Sequence, residues 1–326
     1  MIRSITVTNY LGEKLTVNMT EAEPKSGLLI QKITGLGPIK ADINMTDLAT
    51  TDGSKYNSSR FQTRNIVITF KLVESSPEVT DVYASADTFN IENSRQRTYK
   101  YFPGKKPLTL SIKTDNRDAR ITGYVESNEP DIFSKEETEV ISIICPDPYF
   151  YSNVEGYSPH VVEFSGLDDL FEFPYSNESL TENLTEFGDI TPVTIKSFAY
   201  FGDQETGIHM IIHFVDEVAT NIRIDKRLPS DTSVVMGFFL LEVEKMQALF
   251  GTNFLTGDTI EINTIAGQEQ IMLLRNGVYH NILNVASRDS NWFQLNKGTN
   301  VFYMTAYGNE TALTFRIENY VIYEGV

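Results

Sequence analysis

A single cysteine, Cys145, and a single tryptophan, Trp292, stand among 326 residues. One thiol excludes an intrachain disulfide framework and fits folding in a reducing compartment. No stretch approaches the roughly 18–20 apolar residues that a membrane span needs. The opening MIRSITVTNYLGEKL alternates polar and apolar residues and lacks the apolar core of an export signal, so a soluble protein with no membrane contact is expected. Positive charge is scarce: 27 Lys+Arg face 44 Asp+Glu, a net −17. Non-specific phosphate binding comes from Lys and Arg displacing counterions, so nucleic acid is excluded as a partner.

The scarcity is uneven. Of the 27 basic and 44 acidic residues, 18 and 20 precede position 151, leaving 9 against 24 after it. Between Tyr151 and Asp189 there are nine acids and no Lys or Arg. A near-neutral half followed by an acidic half suggests two modules, as does the length. The expected organisation is a domain over 1–150, a lead-in over 151–190, and a second domain over 191–326.

Hydrophobic residues make up 41% and aromatics 11%, enough for packed cores. Short β-branched runs dominate the first half: ITVTN, KLTVN, LLIQKI, NIVITFKL, LTLSIK, ARITGYVES and TEVISIIC. Turn residues separate them, which predicts a mainly β domain, sandwich or barrel. One helix is predicted over 91–102, with Asn90 or Asp87 as its N-cap and Pro103 as its stop. On it, Ile91, Arg95, Thr98, Tyr99 and Phe102 share a stripe about 100° wide, which would face the core. Arg95 there either pairs with a carboxylate or lets its stem run past the core. The second half repeats the strand pattern about eight times between 191 and 324, interrupted by one helical turn at 245–250, and reads as a second β-sandwich.

From Gly35 to Arg64 the chain is polar, punctuated by Gly and Pro, and without periodicity. Loops beyond about 12–15 residues are uncommon in compact domains. This one carries Ile39, Ile43, Met45, Leu48, Tyr56 and Phe61, too many apolar side chains for a free linker. Either a neighbouring subunit or the loop's own domain must cover them.

Chemistry is hard to find. His209 and His213 have the helical zinc spacing, but GIHMIIHFV is a strand pattern, which would hold them roughly 13 Å apart. No GxSxG elbow and no GxxxxGK[ST] loop occurs, and Gly35-Leu36-Gly37 is followed by Pro38 rather than a helix. Cys145 sits at the end of an apolar run, as a small buried hydrophobe would. A calcium turn at 202–207 lacks EF-hand spacing, so a solvated turn is the simpler reading. Arg95, Arg97 and Lys100, with Lys105 and Lys106, form the one basic cluster. It is either a solvated helix face or a set of partners for the carboxylates of another copy. No enzyme, metal or cofactor is expected; an interaction protein is.

Several runs read together as a family. GLGPIKADINMTDLATTDGSKYNSSRFQTRNIV, then YKYFPGKK, then ITGYVESNEPDIFSKEETEVISIICPDPYFY resemble the distal tail proteins of long-tailed, siphovirus-type phages and prophages of Gram-positive bacteria. LFEFPYSNESLTENLTEFGDI, GDTIEINTIAGQEQIMLLRNG and WFQLNKGTNVFYMTAYG continue the likeness.

The resemblance implies a tail-tube-like β-barrel or sandwich with one helix and a long arm, followed by a galectin-like β-sandwich. It implies six copies in a ring that joins the tail tube to the tip or baseplate, with the arm, about 36–63, embracing the neighbouring subunit. The partners would be other copies, the tail tube protein, the tip protein, and receptor-binding or baseplate proteins. The place would be the virion tail tip, assembled in the host cytoplasm. Galectin-type sugar binding does not carry over, because Trp292 in NWFQLNKG lacks the accompanying His, Asn, Arg and Glu. Trp292 remains the one candidate glycan contact, and a glycan-binding adhesin acting through the second sandwich is the alternative.

Overall fold

The structure, a computed structural model, describes residues 1–19, 24–49, 52–76, 89–168, 189–192 and 194–326. It divides into two compact units, Met1–Glu155 with Ile322–Val326, and Gly156–Val321.

The first unit runs β1 (Ile2–Thr8), β2 (Lys14–Asn18), β3 (Leu28–Thr34), β4 (Ala41–Asp47), β5 (Ser54–Phe61), β6 (Arg64–Leu72), α1 (Ile91–Tyr101), β7 (Pro107–Thr114), β8 (Asp118–Asp131), β9 (Thr138–Cys145) and β10 (Phe150–Ser152). Its sheet follows the order β2-β1-β7-β8-β9-β6-β3 and is not closed into a barrel. Alternation decides its core face. In β6, Arg64, Ile66, Ile68, Phe70 and Leu72 point inward while their neighbours do not. The four apolar ones join Ile5, Val7, Leu110, Ile112, Ile121, Ile141 and Ile143 in one apolar cluster. A fully buried side chain such as Phe70 contributes about 1.5–3 kcal/mol. Cys145 lies in this cluster, and burial pushes its thiol up to about 11.

Helix α1 starts where expected: the Asn90 side chain accepts from the Asn93 N–H at 2.9 Å. Asp87, the other N-cap candidate, lies outside the described residues. The buried face includes the expected Thr98 and Phe102, with Ile91 packed against the core, but it extends to polar residues outside the expected stripe. Asn93, Ser94, Arg97, Thr98 and Tyr101 face inward, and Tyr99 is exposed. The reason is hydrogen bonding: Ser94 Oγ donates to the Val73 carbonyl at 2.5 Å, Asn93 to Ser75 at 2.8 Å, and Thr98 to the Glu139 carboxyl at 2.6 Å. Buried polar groups survive when partnered, and these are supplied by the loop after β6 and by β9.

The second unit runs β11 (His160–Glu163), β12 (Ser165–Asp168), β13 (Asp189–Pro192), β14 (Ile195–Tyr200), β15 (His209–Phe214), β16 (Ile222–Leu228), β17 (Asp231–Leu241), α2 (Val243–Phe250), β18 (Thr259–Asn263), β19 (Gln270–Arg275), β20 (Val278–Asn281), β21 (Gly298–Thr305) and β22 (Leu313–Asn319). A six-stranded sheet, β11-β22-β15-β18-β19-β20, and a four-stranded one, β14-β21-β16-β17, each bury one face; β12 and β13 pair alone. Phe214 stacks on Phe254 at 5.3 Å, and Phe164 meets Phe315 at 4.7 Å. Helix α2 stops at Gly251, whose φ of 73° is the left-handed turn that glycine takes readily. Residues 160–163 of the expected lead-in are thus a paired strand, while most of its acidic run, 169–188, falls outside the described residues.

The chain then returns to the first unit as β23 (Ile322–Tyr323), antiparallel to β10.

Candidate functional site

The segment expected as an arm loop is regular. β4 and β5 form a two-stranded hairpin paired from Ala41↔Phe61 to Asp47↔Ser54, with one register shift between Asn44 and Met45. Sequence reading missed this because the alternation of Ala41, Ile43 and Met45 is short and the partner run SKYNSSR is polar, so the pair gives no sustained period. Polar bonds hold the two strands: Asn57 donates to Thr46 Oγ1 at 2.6 Å, Ser54 to Asp47 at 2.7 Å, and Arg60 sits 3.6 Å from Asp42.

Nearly every residue of the hairpin is exposed. Ile43 is 53% exposed, Met45 56%, Leu48 47% and Tyr56 59%. The hairpin's own unit therefore leaves these four uncovered. Ile39 and Phe61 are half-buried at the root, where the Phe61 ring meets Tyr149 edge-on with centroids 6.0 Å apart. A lone two-stranded hairpin is marginally stable in water.

The root is built with more care than the tip. Arg64, first residue of β6 and 2% exposed, donates to four backbone carbonyls: Pro148 at 2.7 Å, Gly35 at 2.5 Å, Gly37 at 2.7 Å and Glu324 at 2.6 Å. Its guanidinium also lies 4.5 Å from the Phe150 ring centroid. Burial lowers its pKa, as desolvation of a cation must, though an arginine stays charged. Gly35, at φ 86°, admits no side chain: a Cβ would lie 2.1 Å from the Asn65 carbonyl. No sequence signal marked Arg64, because its partners are scattered over the chain.

The charged candidates do not assemble into a surface patch. Arg97 is 6% exposed and donates to the Ser26, Lys25 and Ser76 carbonyls, so it holds the fold rather than a partner. Lys100 pairs with Glu13 at 3.0 Å, and Asn9 and Lys100 together hold that carboxyl below its ordinary range. Arg95 is partly buried and 3.9 Å from Glu92. Arg97 is thus engaged within its own fold, and Arg95 and Lys100 each have a carboxylate partner in the same chain.

In the second unit, Trp292 is half-buried, edge-on to Phe239 with centroids 5.4 Å apart. It borders a groove of about 620 Å³ walled by Lys245, Leu249, Leu283 and Arg288. His209 and His213 lie on strand β15, as the pattern predicted; His209 sits 3.7 Å from Glu261 and 3.6 Å from Glu318. Among the described residues, no helix is long and apolar enough to cross a membrane.

Residues 217–318 match the family model described as siphovirus-type tail component, C-terminal domain. No curated protein sequence matches. Among solved structures, the chain is similar to the Dit protein (gp 19.1) of phage SPP1, described as a paradigm of the hub adsorption apparatus in phages infecting Gram-positive bacteria. The TM-score is 0.56 at 11% identity, over 97% of this chain and 98% of that one. Two structures of the phage p2 baseplate in its activated conformation, with Ca and with Sr, match over 98% of both chains at 11% identity, with TM-scores of 0.39 and 0.38. The likeness to distal tail proteins read from the sequence is thus borne out, and the mainly β fold is that of the hub protein.

Proposed function

We propose that this chain is a distal tail hub, a non-catalytic structural protein whose six copies close into a ring joining the tail tube to the tip or baseplate of a siphovirus-type virion. The observation that carries the reading is the hairpin arm, with Ile43, Met45, Leu48 and Tyr56 uncovered. One arm per copy, gripping a site elsewhere on the next copy, is a head-to-tail contact, which closes into a ring when the rotation between copies is a whole fraction of a turn. Ile39 and Phe61 hold the arm's root. The second unit, galectin-like in this reading, stands outside the ring and receives receptor-binding or baseplate proteins. The charge distribution agrees: the near-neutral half would meet its copies, where like charges repel, and the acidic half would face solvent. Assembly takes place in the host cytoplasm and the product resides at the virion tail tip.

Covering each half-exposed arm side chain contributes about 1 kcal/mol. The triple variant Met45→Ser, Leu48→Ser, Tyr56→Ser should therefore weaken each subunit contact by roughly 3 kcal/mol, about a hundredfold. Sedimentation and negative-stain images should show six-fold rings for the parent chain and folded monomers for the variant. Rings of undiminished yield from the variant would overturn the reading.

The half-exposed indole beside a groove favours one second reading, a glycan-binding adhesin. A glycan array probed with the full chain and with Trp292→Ala tests it: binding lost in a folded variant would favour the adhesin, and no binding by the parent would dismiss it.

A further inference from the structure

We infer that the returning segment 322–326 and Arg64 form a latch that fixes the direction in which the arm leaves the sheet. The inference rests on the arm being the contact surface. Arg64 joins the three pieces that meet at the root: its fork reaches Gly35 and Gly37 on the strand leading into the arm, Pro148 before β10, and Glu324 on the returning segment, 260 residues away. A planar guanidinium can serve several carbonyls in fixed directions; an ammonium cannot.

The returning segment closes on the same root from the other side. The Val326 N–H donates to the Leu36 carbonyl at 3.1 Å. Gly325 packs so tightly there that a Cβ would lie 2.7 Å from Leu36 O and 3.2 Å from Gly37 C. Arg117 holds the segment down, donating to the Gly325 carbonyl at 2.5 Å and lying 4.6 Å from the Tyr323 ring centroid. On the far side of the arm, Phe61 rests against Tyr149, one residue from Pro148. Both strands of the arm are therefore tied at their bases to the 148–150 corner, and one of them also to 324–326. The tip has no such ties among the described residues.

A hairpin that must meet a neighbour at a set angle gains affinity when that angle is fixed beforehand, because the ordering cost is removed from the binding step. The latch supplies that fixing from a part of the chain that the arm's own sequence does not contain.

Gly325→Ala wedges the latch by one methyl group while leaving the sheet untouched. Arg64→Lys keeps the charge and loses the fork. Nitroxides at Ser58→Cys and Lys113→Cys read the arm's orientation against the sheet, since Cys145 is buried and escapes labelling. The parent should give one narrow distance distribution. Both latch variants should broaden it about twofold or more, and should weaken self-association about tenfold through the restored ordering cost.

An unchanged width in both variants overturns the latch. A broadened arm with undiminished self-association overturns its role in assembly. The arm triple variant separates the two readings: if it self-associates normally, the arm reading fails whatever the latch does. If it alone fails to associate, with the latch variants narrow and associating, the latch fails and the arm reading stands.

Discussion

Glu139 offers the sharpest quantitative test of how the first unit is held together. It lies on β9, fully buried, under helix α1. Burial raises its carboxyl from 4.5 to about 7, although the Thr98 hydroxyl donating at 2.6 Å and the positive charge of Arg95 act against the shift. The nearby Asn128 side chain also acts against the shift, although among the described residues it makes no well-formed hydrogen bond to the second Glu139 oxygen. The folded state therefore keeps a proton that the unfolded chain releases near 4.5. Stability rises with pH wherever the unfolded state binds more protons; here it binds fewer, so stability falls as pH climbs from 4.5 to 7 and is level above. A difference of that size corresponds to about 3 kcal/mol at alkaline pH.

Glu139→Gln removes the titration and keeps an acceptor for Thr98. The assay is modification of Cys145, buried in the same unit, by a pyridyl disulfide, which reacts only when the unit opens. Taking the parent-to-variant rate ratio at each pH cancels the thiol's own titration. The ratio should be near one at pH 4.5, rise toward neutrality, and level off at about a hundredfold above pH 7.5. A ratio that is flat with pH, or that falls, would refute the account of Glu139.

Three further outcomes follow from buried polar contacts. Arg97→Met leaves the Lys25, Ser26 and Ser76 carbonyls without their donor and should cost about 2–4 kcal/mol, read as a lowered urea midpoint for Cys145 protection. Asp258→Ala strands Arg275, which lies 2.5 Å from that carboxylate in a site 2% exposed on the Asp side; the loss should be about 3–5 kcal/mol, followed through Trp292 fluorescence in the second unit. The double variant Arg97→Met, Asp258→Ala should show each loss in its own reporter with no coupling, because the two sites share no partner.

The strands were legible because one face of each meets a core. ITVTN, NIVITFKL and TEVISIIC alternate, and the structure places β1, β6 and β9 on them. Helix α1 was legible from Asn90 and Pro103, but its inward face was not. Hydropathy assigns Asn93, Ser94 and Arg97 to solvent, whereas the hydrogen bonds they donate to the Ser75, Val73 and Ser26 carbonyls take them in. The arm's apolar residues were legible as needing cover, since Leu48 and Tyr56 are anomalous in a polar stretch. Its hairpin was not, because only Ala41, Ile43 and Met45 alternate, and β5, paired through Asn57, Ser54 and Arg60, carries no matching signal. The root was invisible for a different reason: a cation that bonds only to backbone carbonyls, as Arg64 does, selects no side chains and so leaves no motif.

The pairing of β10 with β23 has a mechanical consequence. The chain leaves the first unit just after Ser152 and re-enters it at Ile322, and Tyr151 lies opposite Ile322 in the ladder. Any pull on the second unit is thus shared by two covalent tethers that emerge side by side. On one flank β10 is also bonded to β8, through Tyr151↔Arg120 and Ser152↔Ala119. Ladder hydrogen bonds run across the strands, so tension directed along β10 strains them together instead of peeling them one after another. Tension applied through such a joint meets a shear clamp, and its grip is set by an unfolding rate rather than by an equilibrium.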